Sequence, residues 1–127
     1  MEIRNGQEIL SEPYILDPTL DRASVTYTDS HTVTWDESGN TLIMNSSSNK
    51  IFTLPVGSTS YLGRWVTLAN INTGRLTIQA GAANYIDDSS SAGTIYSDDN
   101  SIPTITLELM SATKWMIVSA NGTWTSS

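Results

Sequence analysis

From Ser24 onward, apolar and polar residues alternate with a period close to two, which is the signature of half-buried strands. The pattern predicts strands over 25–28, 31–35, 41–45, 50–54, 64–71, 75–80, 93–96, 104–109, 114–119 and 123–125. Polar turns separate them. Asp36-Glu37-Ser38-Gly39-Asn40, Ser46-Ser47-Ser48-Asn49 and Asn121-Gly122 punctuate the chain, and Asn72-Thr73-Gly74 reads as a tight hairpin. Pro55 ends the strand at 50–54, because it cannot donate a ladder hydrogen bond. Gly57 and Gly63 let the following loop turn at either end. No window shows the helical period. Eight to ten short strands at this spacing predict an all-β fold, an antiparallel sandwich or jelly-roll-like barrel, over 23–127.

Residues 1–22 differ. Glu2, Glu8, Glu12, Asp17 and Asp21 alternate with the apolar islands Ile3, Ile9-Leu10, Tyr14-Ile15-Leu16 and Leu20. Pro13 and Pro18 discourage a helix between them. This segment reads as an extended N-terminal arm that docks on a partner through Ile9, Leu10, Tyr14, Ile15 and Leu16. The bland alternative is a frayed terminus.

Composition narrows the reading further. Serine and threonine occupy 18 and 17 of the 127 positions, which suits strands and polar turns more than helices. Hydrophobic residues make up 39%, slightly low for a globular chain, so subunit contacts are expected to complete the apolar burial. The net charge of −7, with its few bases scattered singly, argues against a nucleic-acid surface. No segment has the length and apolarity of a membrane span, and the N-terminus lacks the pattern of a secretory signal. Without cysteine there is no disulfide framework and no thiol nucleophile. The sequons at Asn45 and Asn121 are read as chance in so Ser/Thr-rich a chain.

Candidate chemistry is sparse. His31 is the only histidine and shares a strand face with Val33 and Trp35, so it reads as structural more than as a catalytic base. The loop pairs Asp87-Asp88 and Asp98-Asp99 offer hard oxygen ligands, but no calcium-loop spacing accompanies them, and solvated turns are the better reading. A glycosidase pair of carboxylates would need a groove on a larger scaffold. Trp35, Trp65 and Trp115 lie inside predicted strands and read as core or subunit-interface residues. Trp124 and Tyr61, nearer loops, are the candidates for stacking on a sugar. No catalytic residue, metal ligand or cofactor site is assigned.

The order of motifs resembles the β-rich domains of tailed-bacteriophage structural proteins, found in tail fibres and in small head-decoration (cement) proteins. It is carried by the strand 41–45, the Ile51-Phe52-Thr53-Leu54-Pro55 strand, Val66-Thr67-Leu68-Ala69-Asn70 and Gly74-Arg75-Leu76-Thr77-Ile78-Gln79-Ala80. Asn84-Tyr85-Ile86-Asp87 and the segment from Lys114 to Trp124 complete it, so that it covers roughly 25–124. The resemblance implies a non-enzymatic homotrimer on the virion. Its partner would be the major capsid protein or another virion protein, with no membrane and no nucleic acid involved. A chain that starts at Met1 and ends three residues past Trp124 is expected to be one complete module, which favours a decoration protein. The alternative is a tail-fibre, collar or head-fibre component that binds another virion protein or a host surface glycan.

Light scattering of the purified chain at micromolar concentration should therefore report a trimer. A monomer would contradict the expectation.

Overall fold

The computed structural model describes residues 24–87, 93–98 and 101–126. The arm anchors Ile9, Leu10, Tyr14, Ile15 and Leu16, and the aspartates Asp88 and Asp99, lie outside the described residues. Two mixed sheets pack face to face in an all-β sandwich. The strands are β1 (Ser24–Tyr27), β2 (His31–Thr32), β3 (Thr41–Met44), β4 (Lys50–Thr53), β5 (Trp65–Asn70) and β6 (Leu76–Gln79). They continue with β7 (Tyr85–Ile86), β8 (Thr94–Ser97), β9 (Thr104–Ser111), β10 (Lys114–Asn121) and β11 (Thr125–Ser126). The first sheet has the order β1-β3-β5-β9-β10-β7, and the second β11-β8-β6-β4-β2.

The topology has two halves. Through β6 the chain alternates between the sheets, with odd strands in the first and even strands in the second. Each return lays a strand parallel to its predecessor: β1 with β3, β3 with β5, β2 with β4 and β4 with β6. The first half is thus a parallel winding with two strands per turn. In the second half β8 runs antiparallel to β6, β9 to β5, and β10 forms a hairpin with β9, while the short β7 lies parallel to β10. The expectation of antiparallel pairing throughout is corrected accordingly. A parallel partner needs a crossover, and here the crossover is the facing strand of the other sheet. Alternation of side chains is the same in both arrangements, so periodicity alone does not distinguish them.

The core lies between the sheets. Leu42, Met44, Val66, Leu68, Ile105, Leu107, Leu109 and Trp115 face inward from the first sheet, and Phe52, Leu54, Leu76, Ile78, Ala80 and Ile95 from the second. Burying each of the larger side chains contributes about 1.5–3 kcal/mol.

Successive turns of the winding stack on one another. Asn72 Nδ2 donates to Asn45 Oδ1 at 2.9 Å, and Gly74 N to Ser46 O at 3.0 Å. Asn70, itself buried, donates to Gly74 O at 2.9 Å. The segment 72–74 is therefore a passage between sheets and does not make the expected hairpin. Gly74 serves close approach: a Cβ there would fall inside the Ser48 carbonyl group. Gly63, in contrast, has φ +85 and provides the loop reversal expected of it.

The Gly74→Ala variant should lose about 3 kcal/mol or more of unfolding free energy in a urea titration, because the turn below is backbone and cannot yield. A loss under 1 kcal/mol would mean that the turns are not stacked.

Candidate functional site

Strands β1 and β2 form the outermost rung of the winding, each at the edge of its sheet. Ser24, Val25 and Thr26 are exposed, and among the described residues β1 pairs with β3 alone. The turn between β1 and β2 is tied inward by side chains. Lys50 Nζ donates to Asp29 Oδ1 at 2.9 Å, and Ser30 Oγ accepts from Ile51 N at 3.0 Å.

The only histidine sits in this rung. His31 stacks on Tyr27, with ring centroids 4.0 Å apart, and both meet Phe52 edge-on. His31 Nε2 lies 2.9 and 3.1 Å from the two Glu37 carboxylate oxygens. An ionised carboxylate only accepts, so Nε2 carries the hydrogen. The Tyr27 hydroxyl also donates to Glu37, and Thr34 N does so at 2.9 Å. Burial pushes the Glu37 carboxyl up, but hydrogen bonds from Tyr27, His31 and Thr34 outweigh it and hold the group below the usual range. The same contact, together with burial and the charge of Glu37, pushes the Tyr27 phenol up to about 12. The cluster is a clamp on the edge rung: its acceptor is saturated by donors, and no nucleophile takes part.

Glu37 was missed by strand reasoning, which ran 31–35 as one strand. The chain instead leaves β2 at Thr32 and forms a 3-10 helix over Trp35–Glu37. Thr34-Trp35-Asp36-Glu37 is a capping signature that could have revealed it. Trp35 therefore stands outside any strand, half-buried. It stacks between Tyr61 and Trp115 with centroid separations of 4.3 and 5.4 Å, and its Nε1–H donates to Val56 O at 3.0 Å. Arg64 covers the Tyr61 ring at 5.4 Å. Trp115 is buried in the core, whereas Trp65 is half-buried on β5.

The remaining candidates are dispersed. Asp87 accepts from Ile117 N at 3.1 Å and so braces β10. Arg75 holds Asp98 with two hydrogen bonds of 2.7 and 3.0 Å while lying 4.0 Å over the Tyr96 ring. The Arg75 guanidinium keeps the Asp98 carboxyl below its ordinary range. Among the described residues no group of three His, Asp or Glu side chains could hold a metal ion. Trp124 donates to Thr104 O at 3.1 Å and packs on the core, and Tyr61 is engaged by Trp35 and Arg64. Neither of the two expected sugar-stacking residues stands alone at the surface. No helix among the described residues is long and apolar enough to cross a membrane.

Fold and site together define a sandwich with a wound parallel half, a mostly antiparallel half and an edge rung locked by a Tyr–His–Glu clamp. No family model, curated protein or solved structure matches the chain.

The clamp should govern pH stability at both extremes. Glu37 is depressed in the folded protein, so its contribution is present above the ordinary carboxylate pKa and fades as pH falls through the lower folded value. Tyr27 is raised from 10.0 to about 12, so its contribution is complete below pH 10.0 and is lost as pH rises toward 12. Thermal melts across pH should show Glu37→Gln flattening the acid limb and Tyr27→Phe flattening the alkaline one. Unchanged limbs in both variants would remove the clamp from the account.

Proposed function

We propose that this chain is a non-enzymatic structural protein of a tailed bacteriophage, a head-decoration protein that binds and stabilises the capsid as a homotrimer. In this reading the β-sandwich is a rigid body, and the contact with the major capsid protein or another virion protein runs through residues 1–22 and the edge rung that follows them in the chain. The supporting observation is topological. The strand that follows the arm is the outermost of its sheet, and the next strand is the outermost of the other. Edge strands carry backbone donors and acceptors that can accept a further strand. Clamping this rung through Glu37 and Lys50 holds such a template in one conformation.

The energetics favour several arms acting together. Burial of Ile9, Leu10, Tyr14, Ile15 and Leu16 would contribute about 1.5–3 kcal/mol each. Ordering the arm costs roughly 1–2 kcal/mol per residue, so one arm alone binds weakly. Three arms on one trimer gain by raising each other's effective concentration.

Deleting residues 1–22 should leave a folded trimer that no longer binds particles stripped of the native protein, measured by co-sedimentation. Binding of the deleted form at near-native affinity would place the contact on the sandwich and sink the arm reading.

A further inference from the structure

The inward side of the winding is sealed in its later turns and open in its first. Val25, Leu42 and Leu68 stand in register on one inward column and are 36%, 0% and 0% exposed. On the facing sheet His31, Phe52 and Ile78 share a column; Phe52 and Ile78 are fully buried, whereas the His31 side chain is 26% exposed. The core-facing side of the first rung is therefore reached by water. Its backbone is open in the same direction. In a parallel strand the N–H and C=O of one residue point to one side, and those of the next residue to the other. Tyr27 O accepts from Asn45 N, and Val33 N donates to Thr53 O. Thr26 and Thr32 accordingly aim their N–H groups away from β3 and β4, at edges that pair with no other strand among the described residues.

We infer that residues 7–16 of the same chain cover this surface as a further rung of the winding, laid on β1 and β2. The spacing supports the assignment. Ser24 and Thr41 are in register 17 positions apart. Between them the chain spends four residues on β1, three on the 28–30 turn, two on β2 and eight on the 33–40 crossover. The same spacing taken back from Ser24 puts strands at 7–10 and 14–15, a turn at 11–13 and a crossover at 16–23. Pro13 then falls in the turn and Pro18 in the crossover, so neither removes a ladder hydrogen bond. On this register Leu10 lies beneath Tyr27, Tyr14 beneath His31 and Leu16 beneath Val33, and apolar side chains meet the open inward positions. Tyr14 would extend the ring cluster of Tyr27, His31 and Phe52. Glu8 is the one acid at an inward position, beneath Val25 at the most exposed point of the rung. An eight-residue crossover already suffices between β2 and β3, so the chain's own segment reaches its place without help from a second copy. The added rung covers two edges that would otherwise template pairing between molecules. It moves the free edge to residues 7–10 and turns Ile9 and Ile15 outward, where they stay available to an outside partner. The inference concerns the chain's own fold and does not require the capsid reading.

Amide hydrogen exchange of the full chain, followed residue by residue by NMR with no particle present, tests this. The Thr26 and Thr32 amides should exchange roughly tenfold or more slowly than in the unfolded chain. Leu10→Glu should restore fast exchange at both while the Tyr27 amide, which faces β3, stays protected. Tyr14→Ser should do the same at Thr32. Should either variant fail to fold, nuclear Overhauser contacts between the Tyr14 and His31 rings in the unaltered chain decide the matter, and their absence would overturn the proposal. Unprotected Thr26 and Thr32 amides in the unaltered chain would also overturn it, as would protection that survives both variants. Protection that grows with protein concentration would assign the covering strand to a second copy and overturn it too. Particle binding enters none of these readouts, so failure here leaves the capsid reading standing, and failure of that reading leaves the rung standing.

Discussion

The structure depends on one constraint: each turn of the parallel winding must lie directly on the turn before it. Strands β1, β3 and β5 share one register, and β2, β4 and β6 another, so an error in one crossover would misalign both sheets. The contact that enforces this is backbone on backbone. Gly74 meets the 46–48 turn at a distance that excludes any side chain, and Asn45, Asn70 and Asn72 carry the hydrogen bonds that such a crowded turn cannot find in a ladder. Buried asparagine is unfavourable unless its amide is satisfied. Here it is satisfied by the turn that it positions.

The antiparallel half closes the winding and also fastens its loops. Trp115 on β10 reaches under Trp35, and the stack continues through Tyr61 to Arg64. It joins the capped turn after β2, the loop after β4 and the hairpin of β9 and β10, segments far apart in sequence. The arrangement has a cost. The Trp115 Nε1–H is buried without a partner among the described residues, which opposes folding by about 1–3 kcal/mol. Burial of the indole and its stacking offset this.

Charge is used sparingly and locally. Glu37 collects donors from Tyr27, His31 and Thr34, so a single carboxylate joins the edge rung to the turn that follows it. Lys50 and Asp29 perform the same task one turn further along, at an exposed position where the energy is small. These contacts hold the edge strand that follows residues 1–22 in the chain.

The sequence by itself determined most of the strands, though not where β2 ends or that β7 exists. Alternation placed Leu42, Met44, Phe52, Leu54, Val66 and Leu68 on inward faces, because a pleated backbone sends successive side chains to opposite sides whatever its neighbour's direction. It did not determine which strands pair. Asn72-Thr73-Gly74 has the composition of a hairpin turn, yet the chain crosses to the other sheet there, and Gly74 is required by a turn 26 residues earlier. The Glu37 partner of His31 was hidden by a strand drawn through the capping sequence. Trp65 and Trp115 look alike in sequence, each within an apolar strand. Only tertiary structure turned Trp115 into the core and left Trp65 half-buried, because inside and outside are defined by the second sheet and not by the strand that carries the residue.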